Sequence, residues 1–179
     1  MWTGNQMTRW LSMVAVLLCS ACGTGASLSV DQDGPAAAWW YDMDFEPVST
    51  SIHGTAVKSI DPSWKAATVL DTGLLAGRVS EDQLACFEDS GLSFSLRADH
   101  DSDGVPESFF VGVFKAETGS TGRFVAVMED GKVVQHFQHA GPAAFSALLG
   151  HSDGIRWYKC MDCGEFETII WTGTSYVLE

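Results

Sequence analysis

The chain has 179 residues and carries 23 acidic against 10 basic side chains, which gives a formal net charge of −13 at pH 7. This length suits one domain with a hydrophobic core. Because a strongly acidic surface repels phosphate groups and anionic lipid, the charge excludes nucleic-acid binding and favours cationic partners, such as metal ions or a basic protein or peptide.

The N-terminal segment predicts export from the cytoplasm. Arg9 precedes an apolar run that is too short to span a bilayer and that ends in small residues before a cysteine. The sequence Ser20-Ala21-Cys22 resembles a bacterial lipobox, although Cys19 stands where that motif usually has leucine. The resemblance implies a lipoprotein signal peptide over residues 1–21 and a lipid anchor at Cys22. The product would be a cell-envelope lipoprotein on the outer membrane, facing the periplasm; the alternative is cleavage near Ala21 without lipid.

Residues 22–36 are rich in glycine, serine and alanine, and this composition predicts a flexible tether. A single domain would then occupy residues 37–179. Its first segment, residues 39–45, alternates in the manner of a strand, which would place Tyr41, Met43 and Phe45 on one face.

Three segments carry helix signals. Asp61-Pro62 is typical of a helix start and predicts a helix through residues 63–70. Ser80 to Gln83 has the pattern of a capping box and predicts a helix over residues 81–89. Pro142 and Gly150 bracket a third short helix, over residues 142–149.

The rest of the chain has the alternation of antiparallel strands, with a strong hairpin signal at Asp130-Gly131. The predicted strands cover residues 92–98, 108–115, 123–128, 132–137, 155–160, 165–171 and 175–178. We therefore expect an α+β fold, in which two or three short helices pack on an antiparallel β-meander sheet of about six to eight strands.

Residues 99–107, Asp-His-Asp-Ser-Asp-Gly-Val-Pro-Glu, contain alternating carboxylates in a short loop. Calcium takes six to eight oxygen ligands, and such a loop supplies them as the chain winds round the ion. An EF-hand is excluded because its twelfth position is Phe110 and a strand follows. The pattern resembles the calcium loops of FG-GAP, integrin-type repeats. That resemblance implies a structural Ca²⁺ held by the side chains of Asp99, Asp101, Asp103 and Glu107 and by the carbonyl of Val105. The alternative is a solvated acidic turn.

Three cysteines remain in the expected domain. Cys160 and Cys163 lie at a predicted hairpin tip, and in an exported protein this spacing favours a local disulfide, with Cys86 as a buried thiol. The alternatives are a bridge from Cys86 to either cysteine, or a zinc site.

No catalytic motif stands out, and we expect a non-enzymatic binding or structural module with a calcium-stabilised loop. A more specific alternative is an envelope inhibitor or immunity protein that binds a basic partner. A further alternative is a metal-assisted hydrolase that uses Asp99, Asp101 or Glu107 with a nearby histidine. The tryptophans of the domain would pack in its core or line a carbohydrate or peptide groove.

Overall fold

A computed structural model describes residues 38–179. The predicted signal peptide, the lipidation site at Cys22 and the predicted tether over residues 22–36 lie outside the described residues. Within residues 38–179, no helix is long and apolar enough to cross a membrane.

The described residues form mainly antiparallel strands. The strands are β1 (Ser51–Ile52), β2 (Thr55–Ala56), β3 (Trp64–Val69), β4 (Ser95–Ala98), β5 (Glu107–Ala116), β6 (Thr121–Glu129), β7 (Lys132–Ala140), β8 (Ala147–His151), β9 (Gly154–Tyr158), β10 (Phe166–Trp171) and β11 (Tyr176–Leu178). Two helices, α1 (Val57–Ile60) and α2 (Glu81–Asp89), and a 3-10 turn (Thr72–Leu75) complete the described elements.

The strands form three sheets instead of one continuous meander. A five-stranded sheet has the order β3-β5-β6-β7, with β4 paired to the other half of β5, and a four-stranded sheet has the order β8-β9-β10-β11. Strands β1 and β2 form a separate hairpin. The predicted antiparallel architecture with few helices is confirmed, whereas the prediction of a single sheet of six to eight strands is wrong.

Two clusters of buried side chains lie on opposite faces of the five-stranded sheet. The larger one holds alternate residues of β5 and β6 together with residues of the four-stranded sheet, among them Phe109, Val111, Val125, Leu148, Ile155, Trp157 and Ile169. The other face packs Trp64, Phe114 and Phe124 against Ile52 and Val57. The sheets therefore form a sandwich, and the short hairpin with α1 covers its outer face.

The capping box at the start of α2 is confirmed. Ser80 Oγ accepts a hydrogen bond from the backbone N–H of Gln83 (3.2 Å), and the Gln83 side chain accepts one from the backbone N–H of Ser80 (2.8 Å). Phe87 then turns inward and stacks on Phe94.

The helix predicted over residues 63–70 is a strand, β3. Asp61 ends α1, and its Oδ1 accepts hydrogen bonds from the backbone N–H and the hydroxyl of Ser63. This Asx-type turn redirects the chain into an extended conformation. Pairing with β5 buries Trp64 and Ala67 completely, and this burial outweighs the local helix signal.

The prediction of a helix over residues 142–149 is also wrong. Residues 144–148 are all at most 4% exposed, so no side of this segment faces water. Continuous burial suits a strand that is covered on both faces, and residues 147–151 form β8, which pairs with β9. Periodicity alone does not separate a buried strand from a buried helix.

The strand predicted over residues 39–45 is a turn with one isolated bridge, between Asp44 and Ala144. Neighbouring Trp39 and Trp40 are both buried, while Tyr41 is 66% exposed, so burial does not alternate. Trp64 and Trp157 are also buried, which places these four tryptophans in the core and not in a groove.

Glycines opposite phenylalanines in β5 and β6 allow close packing. Gly112 pairs with Phe124, whose ring covers it, and a Cβ at Gly112 would lie 2.6 Å from the Thr68 carbonyl oxygen.

Substitution Gly112→Ala should lower the free energy of unfolding by about 1–3 kcal/mol, because the Phe124 ring and β3 must both move. Urea unfolding measures the loss.

The control for this substitution is Gly150→Ala in β8. A Cβ there meets nothing nearer than Leu96 Cδ1 at 3.9 Å, and we expect a change within about 0.5 kcal/mol. Equal losses in the two variants would contradict the proposed packing constraint at Gly112.

Candidate metal site in the β4–β5 loop

The predicted acidic side chains come together in the loop between β4 and β5. One oxygen from each of four carboxylates lies within 4.8 Å of the others: Asp99, Asp101, Asp103 and Glu107. Val105, the predicted carbonyl ligand, lies in the same loop, with its side chain 44% exposed. The spacing of the carboxylates along the sequence therefore corresponds to a compact group in space.

Hydrogen bonds from the backbone hold the loop in its turn. The N–H groups of Asp103, Gly104 and Val105 donate to the side chains of Asp101, Asp99 and Asp103 at 3.0, 3.0 and 2.7 Å. Ser102 and Gly104 have φ angles of +63° and +91°. Glycine adopts such an angle at little cost, so Gly104 lets the chain reverse within the loop.

Glu107 is the deepest of these carboxylates. It is 2% exposed, it begins β5 opposite Ala98, and its Oε2 accepts a hydrogen bond from the backbone N–H of His100 at 3.2 Å. A buried carboxylate is costly unless its charge is compensated. Burial of Glu107 thus favours a compensating cation. Glu107 forms the floor of the acidic group, and the three aspartates form its outer side.

Sequence reasoning missed Glu129, which ends β6. The register that pairs Ser108 with Met128 brings Glu129 next to Glu107 across the sheet. Partial burial and the nearby carboxylates of Asp103, Asp130, Asp101 and Glu107 raise the pKa of Glu129. Pairing of the predicted strands β5 and β6 could have indicated this contact.

Tyr176 of β11 was also missed. The residue is 5% exposed, and its hydroxyl has no hydrogen-bond partner among the described residues. Burial and the neighbouring Glu107 raise the pKa of this phenol, so it stays protonated near the acidic group. No sequence signal relates β11 to this loop, because the two belong to different sheets.

Among residues 38–179, no histidine side chain belongs to the group of converging carboxylates. The ring of His100 packs edge-on against Phe109, and His136 lies beside Trp64 and Asp61 on the outer face of the sheet. His139 faces the other way and stacks on Trp157. The acidic group is thus an all-oxygen set of ligands.

The cysteines lie away from this loop. Cys160 and Cys163 are joined by their sulfur atoms across a tight turn, with a Cα–Cα distance of 5.8 Å, which is typical of a disulfide. Cys86 lies on α2 and is exposed, so the prediction that it is a buried thiol is wrong.

No protein-family model, no curated protein and no solved structure matches this chain significantly. Function is therefore inferred from the geometry and chemistry of the chain's own residues.

The raised pKa of Glu129 makes stability depend on pH. The folded, calcium-free protein holds the Glu129 proton more tightly than the unfolded chain does, so its stability falls as the pH rises between the two pKa values. Substitution Glu129→Gln should raise the calcium-free melting temperature at pH 7 and reduce the stabilisation gained on mild acidification. Thermal melts between pH 4.5 and 7.5 in chelator measure both effects.

Glu46→Gln is the matched control, because Glu46 is exposed and outside the acidic group. It should leave both the melting temperature and its pH dependence close to those of the parent protein. A Glu129→Gln variant that behaves in the same way would rule out repulsion at the end of β6.

Proposed function

We propose that this protein is a lipid-anchored, non-enzymatic binding module of the bacterial cell envelope, and that the β4–β5 loop binds a structural calcium ion. The observation that carries the proposal is the convergence of four carboxylates, one of them buried, within 4.8 Å. At pH 7 such a group repels itself unless a cation neutralises it.

The number and type of ligands favour calcium over magnesium. Ca²⁺ takes six to eight oxygen ligands in flexible geometry, and four carboxylates that offer oxygens within 4.8 Å of one another supply at least half of such a set. Mg²⁺ usually keeps several waters and binds through one or two carboxylates, so a group of four carboxylates suits it less well.

The position of the loop indicates what the ion would do. Glu107 starts β5, Glu129 ends β6, and Tyr176 belongs to the second sheet. A cation at the acidic group would remove repulsion at a point where both sheets meet. Calcium would therefore stabilise the framework and leave the rest of the surface for binding.

The envelope assignment rests on the N-terminal sequence. The signal-like segment before Cys22 supports lipidation there, and the Gly- and Ser-rich residues that follow support a tether. The net charge of −13 favours a basic protein or peptide as the partner, by electrostatic attraction over about a Debye length.

Calcium titration is the direct test of the loop. Excess Ca²⁺ should raise the melting temperature by several degrees relative to chelator, because ligand binding to the folded state stabilises it by mass action. Asp101→Asn should abolish most of the rise. Differential scanning fluorimetry of the mature chain with Cys22→Ser, in Ca²⁺, Mg²⁺ and chelator, measures it.

Asp42→Asn removes the same charge from an exposed aspartate outside the loop and should keep the full calcium response. If Ca²⁺ shifts neither the parent nor this control, the loop is a solvated turn and the calcium proposal is wrong.

Lipidation gives a separate test of location. Expressed in a Gram-negative host, the full chain should incorporate radiolabelled palmitate and sediment with the outer membrane. Cys22→Ser should lose the label and appear in the soluble periplasmic fraction, while Cys19→Ser should keep both properties. Label in the Cys22→Ser variant would contradict the assignment of the anchor.

A further inference from the structure

An unpaired arginine lies between the two sheets, at the opposite end from the acidic loop. Arg123 is six residues before Glu129 in β6, which corresponds to about 20 Å along the strand. Strand alternation places its side chain on the inter-sheet face, together with Val125 and Val127. It pairs across the sheet with His139 of β7.

The guanidinium of Arg123 has no carboxylate within 4.0 Å and no hydrogen-bond acceptor among residues 38–179; its Nε is buried and unpartnered. Burial lowers the pKa of the group. Other basic side chains, such as Lys65, Arg97 and Lys132, also have no carboxylate within 4.0 Å among the described residues, but Arg123 combines this with a buried, unpartnered Nε. The side chain is half-buried, and an anion bound beside it would supply the missing hydrogen-bond acceptors.

Arg123 lines a cleft of about 390 Å³, which is large enough for a small organic molecule. Lys159 and the turn closed by Cys160 and Cys163 form part of the wall. Arg123 and Lys159 also line a neighbouring cleft of about 230 Å³. Two cations thus lie where the two spaces adjoin.

Charges already present in the cleft decide which anion fits. Lys159 Nζ lies 2.8 Å from Glu167 Oε2, and His139 Nε2 donates to the same oxygen at 2.7 Å. Lys159 is therefore partly neutralised, whereas Arg123 is not. Glu165 and Glu167 at the wall would repel a dianion such as a phosphate monoester more strongly than a monoanion.

The mouth of the cleft is aromatic. Tyr41 and Phe166 both line it, and they are 66% and 42% exposed. Arg156 lies over the Phe166 ring, with Cζ 4.5 Å from its centroid, and this contact holds the ring in place. An apolar or aromatic group attached to the anion could pack on these two side chains.

We propose that this cleft, which we call the Arg123 cleft, binds a small organic monocarboxylate with an apolar or aromatic group. The carboxylate pairs with the Arg123 guanidinium, whose planar fork matches its two oxygens, and the apolar group packs on Tyr41 and Phe166. This inference rests on the proposed role as a binding module, and it does not depend on the calcium ion.

Phenylacetate is a suitable probe, and phenylacetamide is its neutral analogue of the same shape. Titration of the ¹⁵N-labelled mature chain with Cys22→Ser should give saturable shifts of the Arg123 Nε–H and of the Tyr41 and Phe166 amides. Phenylacetamide and phenyl phosphate should each bind at least about tenfold more weakly. Equal binding of the acid and the amide would overturn the proposal, and tighter binding of phenyl phosphate would overturn the ligand class.

Arg123→Gln should weaken phenylacetate binding by at least about tenfold, and Arg123→Lys by less, because lysine keeps the charge but not the fork. Arg97→Gln removes an exposed cation of β4 outside the cleft and should leave the affinity within about twofold of the parent. Unchanged binding by Arg123→Gln would overturn the proposal. If that variant does not fold, comparing the binding of phenylacetate and phenylacetamide to the parent chain still tests the proposal.

The same titration in excess calcium and in chelator separates the two proposals. A folded protein that binds phenylacetate equally in both, but melts without any calcium response, would support the Arg123 cleft and contradict the calcium loop. A calcium response without phenylacetate binding would give the reverse result.

Discussion

Packing of the two sheets depends on a small set of polar side chains that lie between their apolar faces. Gln135 of β7 reaches the second sheet, where its amide exchanges two hydrogen bonds with the backbone of Tyr176, at 2.6 and 3.2 Å. At the other end of β7, His139 bonds to Glu167. Each polar group that enters this dry layer needs a partner, and these pairs fix how the sheets lie on each other. Six buried side-chain polar atoms among residues 38–179 have no such partner, and two of them, the Tyr176 hydroxyl and Arg123 Nε, lie near the acidic loop and at the Arg123 cleft.

The two ends of the sandwich respond to acid in opposite directions. Partial burial and the repulsion of nearby carboxylates raise the pKa of Glu129, so protonation of this side chain stabilises the calcium-free fold. At the Arg123 cleft, burial opposes ionisation of Glu167, but Lys159 and His139 outweigh it and hold the pKa of that carboxyl below its usual value. Its contribution to stability is therefore lost as the pH falls through the lowered pKa. Acidification therefore destabilises the cleft end of the sandwich and stabilises the calcium-free loop end.

Local signals in the sequence were sufficient wherever a residue acts through its near neighbours. The capping box at Ser80 and the Asp130-Gly131 hairpin are of this kind, and so is the acidic loop, whose ligands lie within nine positions of one another. Local signals gave the wrong secondary structure where burial in the core determined the conformation. Residues 63–70 and 142–149 have helix-like starts, yet pairing with β5 and β9 buries them more completely than a surface helix would.

The same distinction explains why half of the candidate chemistry was not visible in the sequence. Arg123 is one basic residue in an ordinary alternating strand, and nothing near it indicates that it faces the second sheet without a partner. Much of its environment is made by residues 36 to 44 positions later, among them Lys159, Cys160 and Glu167, which line the same cleft. The acidic loop can be recognised from the sequence, because like charges that are close together along the chain require a compensating cation. The half-buried Arg123, whose Nε has no partner among residues 38–179, can be recognised only once the fold shows what surrounds it.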